Sequence, residues 1–227
     1  MNDTNPKFAI VLSGCGVFDG SEIHEATMTM LAIDEAGCDY QCFAPDTWQA
    51  KTIDHYTGQA TAIAGDDDNR NVLAESARIA RGNIKNLKEF NAKDYDAIVF
   101  PGGFGAAMNW SNFAIKGSDC ELNKEVEKAI HDAYDNHLVI GAMCIAPVVI
   151  AKALAKHQVK VTIGTDKGVG AGISKMGAVF EPKGTLDVCV DEENRVVTTP
   201  AYMLAKSIKD IRRGTQNLID EMLNLLD

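Results

Sequence analysis

Short, nearly unbroken apolar runs recur along the chain and alternate with longer amphipathic stretches. Phe8-Ala-Ile-Val-Leu12 is the first, of the kind expected for a strand buried on both faces. A small-residue loop follows, Ser13-Gly-Cys-Gly-Val-Phe-Asp-Gly20, and then a helix with Ser21 as N-cap that runs to about Glu35 and stops at Gly37. Tyr40 to Ala44 predicts a second strand, ended by Pro45. Asp96-Ala-Ile-Val-Phe100 predicts a third, running into the turn Pro101-Gly-Gly-Phe-Gly105. A helix over Glu121 to Tyr134, a strand over Leu138 to Met143 and a helix over Ala146 to Ala155 come next. Val159 to Ile163 reads as a further strand. Val188–Val190 and Arg195–Thr198 flank Asp191-Glu-Glu-Asn194 as a hairpin, and a last helix covers Leu204 to Leu226.

Strand and helix alternating in this way predict an α/β fold, a mainly parallel sheet with helices on both faces. The 227 residues fit a single domain spanning 1–227, with an irregular insertion around 45–94 that holds a helical patch from Val72 to Ala80. The cluster Asp66-Asp67-Asp68 in that segment lacks the ligand spacing of a calcium loop and reads as a solvated turn. In open parallel sheets the site lies at the carboxyl ends of the strands. Three loops are therefore expected to meet: 13–21, 101–105 and 143–146.

Charge narrows the partners. Lys and Arg number 22 against 32 Asp and Glu, a net charge of −10. That argues against nucleic acid, which needs a basic footprint, and against an anionic membrane surface. The longest uncharged apolar run, Leu138 to Ala151, is too short to span a bilayer and contains Pro147. The start, Met-Asn-Asp-Thr-Asn-Pro, carries no secretory signal pattern, so a cytoplasmic protein is expected.

Six cysteines occur with no Cys-x-x-Cys pair, so neither a zinc ribbon nor a thioredoxin-type motif is indicated, and no metal is expected. Cys144 stands out because a buried strand turns there directly into a helix. Ala142 and Ala146 flank it at both second positions, the small-x-nucleophile-x-small spacing of a nucleophile elbow. A helix N-terminus beneath it would favour the thiolate. The same position also suits a buried structural cysteine. The Gly102-Gly103 turn, with the N–H of Ile145, suits an oxyanion hole, or is an ordinary turn after a strand. Glu22 and Glu25 open the first helix. Glu22 fits pairing with the helix dipole, while a Glu pressed against a thiol would have a raised pKa and serve as acid or base. His24 is a further possible member, or a surface histidine. A rival reading takes Gly14-x-Gly16-x-x-x-Gly20 with Asp46 as a nucleotide loop. The tighter Gly-x-Gly-x-x-Gly spacing is absent and Pro45 separates Asp46 from its strand, so no cofactor is expected.

The run Leu12-Ser-Gly-Cys-Gly-Val-Phe-Asp-Gly-Ser-Glu-Ile-His-Glu25 closely resembles the start of the ElbB proteins, a branch of the ThiJ/PfpI family within the class I glutamine-amidotransferase-like fold. So do Pro101-Gly-Gly-Phe-Gly-Ala-Ala107, Met143-Cys-Ile-Ala-Pro147, Ile163-Gly-Thr-Asp166 and Val197-Thr-Thr-Pro-Ala-Tyr-Met203. The likeness covers nearly the whole chain except the 60–70 region. It implies a flavodoxin-like three-layer sandwich with Cys144 at its centre, Glu25 as the protonated partner of the thiol, and oxyanion donors at Gly103 and Ile145. It further implies a glutathione-independent glyoxalase that converts glyoxal, a small dicarbonyl substrate, to glycolate, and a homodimer. Several relatives carry a histidine where this chain reads Ile163-Gly164-Thr165-Asp166. Asp166 is the possible substitute or a turn aspartate, and the gap weakens a protease-like or amidotransferase activity. Two other classes remain open: a cysteine-based redox sensor, chaperone or repair protein, and a nucleotide-dependent enzyme.

Overall fold

The computed structural model describes residues 5–226, so most of the start read above for its lack of a signal, Met1 to Thr4, lies outside the described residues. Among the described residues eleven strands form: β1 (Lys7–Val11), β2 (Asp39–Ala44), β3 (Lys51–Asp54), β4 (Gln59–Ile63), β5 (Ile84–Asn86), β6 (Ala97–Phe100), β7 (Val139–Met143), β8 (Lys160–Val161), β9 (Val179–Phe180), β10 (Cys189–Asp191) and β11 (Val196–Thr199). The helices are α1 (Ile23–Glu35), α2 (Val72–Ile79), α3 (Phe104–Met108), α4 (Phe113–Lys116), α5 (Lys124–Asp135), α6 (Pro147–Ala153), α7 (Lys167–Met176) and α8 (Ile208–Asn224).

The main sheet runs in the order β10-β11-β7-β6-β1-β2-β5. Every neighbouring pair in it is parallel except β10 with β11, the hairpin read from the sequence. Strand alternation builds two cores. Phe8, Ile10, Val99 and Met143 face one side with Ile33 of α1 and Leu218 of α8. Ala9, Val11, Ile98 and Phe100 face the other with Ile130 of α5 and Val149 of α6. Both faces are covered, which is why these strands read as unbroken apolar runs. The mainly parallel, three-layer α/β expectation is met.

The chain leaves β1 toward β2 and β5, then returns to place β6 on the opposite side of β1. The loops after β1 and β6 therefore diverge at a topological switch point, and β7 delivers its C-terminal end beside them.

Several elements differ from the sequence expectation, among them α3, α4 and β9, which were not expected, and β8, which is shorter than the strand read over 159–163 and pairs with β9 outside the main sheet. The 45–94 segment holds the β3–β4 hairpin and α2, and it rejoins the main sheet through β5 against β2. The N-cap of α1 is Glu22 and not Ser21, whose Oγ instead accepts the Ser13 N–H at 2.8 Å. Helix α7 forms where no helix was expected, with Asp166 capping it and accepting the Val169 N–H at 2.9 Å. The Asp66–Asp68 turn is exposed. No group of three metal-ligating side chains stands together among the described residues. None of their helices is long and apolar enough to cross a membrane.

Candidate active site

Cys144 follows directly on β7 with φ +62°, a left-handed conformation rare for a residue with a side chain. Its N–H donates to the Thr199 carbonyl at 3.1 Å, which ties the bend to β11. Ala142 and Ala146 on either side are fully buried, so bulkier residues there would have no room. The chain then enters α6 through Pro147. This strained strand-to-helix turn is the elbow expected from the spacing.

Glu25 is fully buried in the first turn of α1. Its carboxylate accepts two main-chain N–H groups, Gly102 at 2.9 Å and Tyr202 at 3.1 Å, and it lies beside the Cys144 thiol across Gly102. Gly102 lies against both reactive groups. A Cβ there would strike the Cys144 Cβ and stand 2.5 Å from Glu25 Oε2 and 3.0 Å from Cys144 Sγ. Glu22 caps α1, its carboxylate accepting the Glu25 N–H at 2.7 Å, so it serves the helix as expected. The Gly103 and Ile145 N–H groups act on the Cys144 thiol in the direction that favours its ionised form.

Electrostatics depart from expectation at the thiol. Burial, and next the charge of Glu25, push the Cys144 thiol up. The Gly103 and Ile145 N–H groups pull the other way but do not prevail. The favourable helix end anticipated for the thiolate is outweighed because Cys144 is only 8% exposed. Burial likewise pushes the Glu25 carboxyl up to about 8. At neutral pH most Glu25 is therefore protonated, and its charge, one of the causes that raise the thiol, is then largely absent.

Main-chain bonds stitch the site loops together. The Glu22 N–H donates to the Gly102 carbonyl, Phe104 to Val17 and Gly105 to Gly20, all at 2.8–2.9 Å. Gly103 takes φ +104°, and a Cβ on it would strike the Gly20 carbonyl. Loops 13–21, 101–105 and 143–146 thus meet, as the topology required. Asn109, which the sequence did not single out, is the buried clamp behind them. Its Nδ2 donates to the carbonyls of Ser13 and Asp19 at 2.8 Å, and its Oδ1 accepts the Ala50 N–H at 2.9 Å. Asn109→Ala is expected to destabilise the protein by about 2–3 kcal/mol, because buried polar groups lose their partners. Denaturant titration checks this through a lower midpoint at unchanged slope.

The remaining candidates fall outside the reacting centre. His24 is exposed, its Nδ1 2.8 Å from the Tyr202 hydroxyl. Asp166 is exposed and occupied as a helix cap, so it is no stand-in for the missing histidine. The glycine loop spends its amides internally: Gly14 donates to Ser76 Oγ, Gly16 to the Ser21 carbonyl and Gly20 to the Gly16 carbonyl. Asp46 accepts from Asn71. The three glycine amides of that loop are thus already taken. Tyr202 is the other residue missed. Its N–H holds Glu25 and its side chain lines the cavity before Cys144.

Residues 15–206 match the model of the DJ-1/PfpI family. The chain belongs to the DJ-1/PfpI family. The class I glutamine-amidotransferase-like resemblance holds at that level. Among curated proteins it is 42% identical to the ES1 protein homolog, mitochondrial, of Rattus norvegicus, over 96% of this chain and 84% of that one. It is 42% identical to the glutamine amidotransferase-like class 1 domain-containing protein 3, mitochondrial, of Homo sapiens, over 96% and 83%. Among solved structures it resembles an isoprenoid biosynthesis protein with an amidotransferase-like domain from Ehrlichia chaffeensis, with a TM-score of 0.87, 36% identity and coverage of 96% and 99%. The mitochondrial relatives overturn the cytoplasmic expectation, which rested on the absence of a signal pattern at the start of the chain and of an apolar run long enough to span a bilayer.

Proposed function

We propose that this DJ-1/PfpI member is a glyoxalase of the ElbB type, needing no glutathione and using Cys144 as nucleophile and Glu25 as proton carrier. The observation that carries the proposal is the placement of a fully buried carboxyl, raised to about 8, against a cysteine on a nucleophile elbow. A group that must act as base and then as acid works best with a pKa near the operating pH.

In this mechanism Cys144 Sγ adds to one aldehyde carbon of glyoxal, forming a C–S bond. The thiol proton passes to the ionised fraction of Glu25. The Gly103 and Ile145 N–H groups, which favour the ionised thiol, donate in this mechanism to the oxygen that gains charge on the attacked carbon. Glu25 passes the thiol proton to the alkoxide oxygen, completing the hemithioacetal, and, ionised again, removes the hydrogen from the same carbon as a proton to give an enediol; it returns this proton to the neighbouring carbon while the hydroxyl proton on the sulfur-bearing carbon leaves, giving the thioester. One carbon is thereby oxidised and the other reduced, with no external oxidant. Water then cleaves the thioester, releasing glycolate and the free thiol.

The redox-sensor alternative requires an accessible, low-pKa thiol. A nearly buried thiol pushed upward runs against it. The homodimer implied by the resemblance is kept as part of the proposal, and sedimentation is expected at twice the mass of one chain.

The direct test is to incubate the protein with glyoxal, without glutathione, and follow glycolate by proton NMR. Glycolate formed well above the protein-free blank is the expected result. A rate equal to the blank removes the proposal.

A further inference from the structure

The space in front of Cys144 is larger and more apolar than a two-carbon dialdehyde uses. It encloses about 360 Å³, within the range of ligand-sized pockets, about 300–1,000 Å³. Its walls come from five separate segments: Val17 after β1, Phe104 of α3, Phe113 of α4, Val169 of α7 and Met203 before α8. The polar groups facing it are those already assigned around the sulfur, with Tyr202 beside them. Phe104 is 50% exposed and offers an apolar face that a bound group would cover. Phe104 and Ala114 also line a separate space of about 260 Å³ that reaches Ile53 of β3.

Glyoxal is small and leaves most of these apolar walls uncovered. An apolar substituent on the second carbon gains from the same walls. We infer that the Cys144 cavity takes carbonyl compounds bearing an apolar substituent of about ring size. Among 2-oxoaldehydes an aryl-substituted one is then processed in preference to glyoxal. The turnover half of this inference rests on the glyoxalase proposal; the binding half does not.

The chemistry balances with water as the co-reactant. The sulfur adds to the aldehyde carbon of R–CO–CHO. That carbon gives up its hydrogen as a proton, and its electron pair passes through the enediol to the ketone carbon, which takes a proton. Hydrolysis of the C–S bond yields R–CH(OH)–COOH and restores the thiol.

Two measurements separate the two halves. The first compares kcat/KM for phenylglyoxal and glyoxal, with mandelate and glycolate identified as products. The second follows alkylation of Cys144 by 2-chloroacetophenone and by chloroacetone using intact mass, each rate divided by its rate with glutathione. The Cys144→Ala protein corrects for the other cysteines. One methylene in an apolar pocket is worth about 10-fold or more. An advantage of at least about 10-fold for the aryl compound is therefore expected in both. If alkylation shows the aryl advantage while neither aldehyde yields acid, the cavity inference stands and the glyoxalase proposal falls. If the corrected alkylation rates agree within about threefold, the inference is overturned, whatever the turnover.

Discussion

Cys144→Ala is expected to lower glycolate formation from glyoxal by at least about 1,000-fold, to the level of the blank, because loss of a nucleophile removes the covalent route altogether. Alanine keeps the Cβ and so occupies the φ +62° elbow no worse than cysteine does. It removes only the sulfur, beside which lie the main chain of Gly102 and the Glu25 carboxyl, and Glu25 keeps its two main-chain donors. The thermal midpoint should therefore stay close to that of the wild type while activity disappears. A variant that folds and keeps more than about a tenth of the rate would place the chemistry elsewhere. Cys15, partly exposed in the loop after β1, would be the next residue to replace.

Glu25→Gln is expected to cost about 10²–10⁴ in kcat, the usual worth of a positioned acid–base group. It also carries a signature in stability. The carboxyl sits at about 8 in the folded protein against 4.5 for the ordinary group. Between those pH values the folded chain holds a proton that the unfolded chain has lost. Stability from this source is full below the lower value, falls as pH rises from about 4.5 through about 8 and levels off above that, by an amount on the order of a few kcal/mol. Glutamine does not titrate, so the variant should lose that slope. Its absolute stability is the poorer readout, because two N–H groups, Gly102 and Tyr202, both require an acceptor and glutamine has one oxygen to offer. Denaturant midpoints of both proteins from pH 5 to pH 9 make the comparison. Parallel curves would show that Glu25 is not the buried titrating group.

The strands were legible because burial on both faces leaves an apolar run that the eye can follow, as at Phe8–Leu12 and Leu138–Met143. Cys144 was legible for a steric reason, the alanines at both second positions. Other elements are held by distant partners and left little local trace. Strand β3, Lys-Thr-Ile-Asp, has one strongly apolar residue, and its Ile53 N–H is fixed by Asp19 Oδ2 at 2.7 Å across the loop. Helix α7 contains Gly168, Gly170 and Gly172, which lower helix propensity, yet it forms beneath the cap of Asp166. Within the site, Asn109 and Tyr202 act on groups 96 and 177 residues away, a relation no spacing rule reveals. The thiol was misjudged because sequence shows a helix start but not the depth of burial, and burial decided the direction.

The bonds that join loop 13–21 to turn 101–105 run from main chain to main chain, Glu22 to Gly102, Phe104 to Val17 and Gly105 to Gly20. Such bonds are indifferent to which side chains the joined residues carry. Replacing Val17 or Phe104 with another apolar residue reshapes the cavity wall while leaving the spacing of Cys144 and Glu25 in place. Substrate choice and reaction chemistry are therefore separately adjustable in this protein, and mutational drift at the wall can retune the first without dismantling the second.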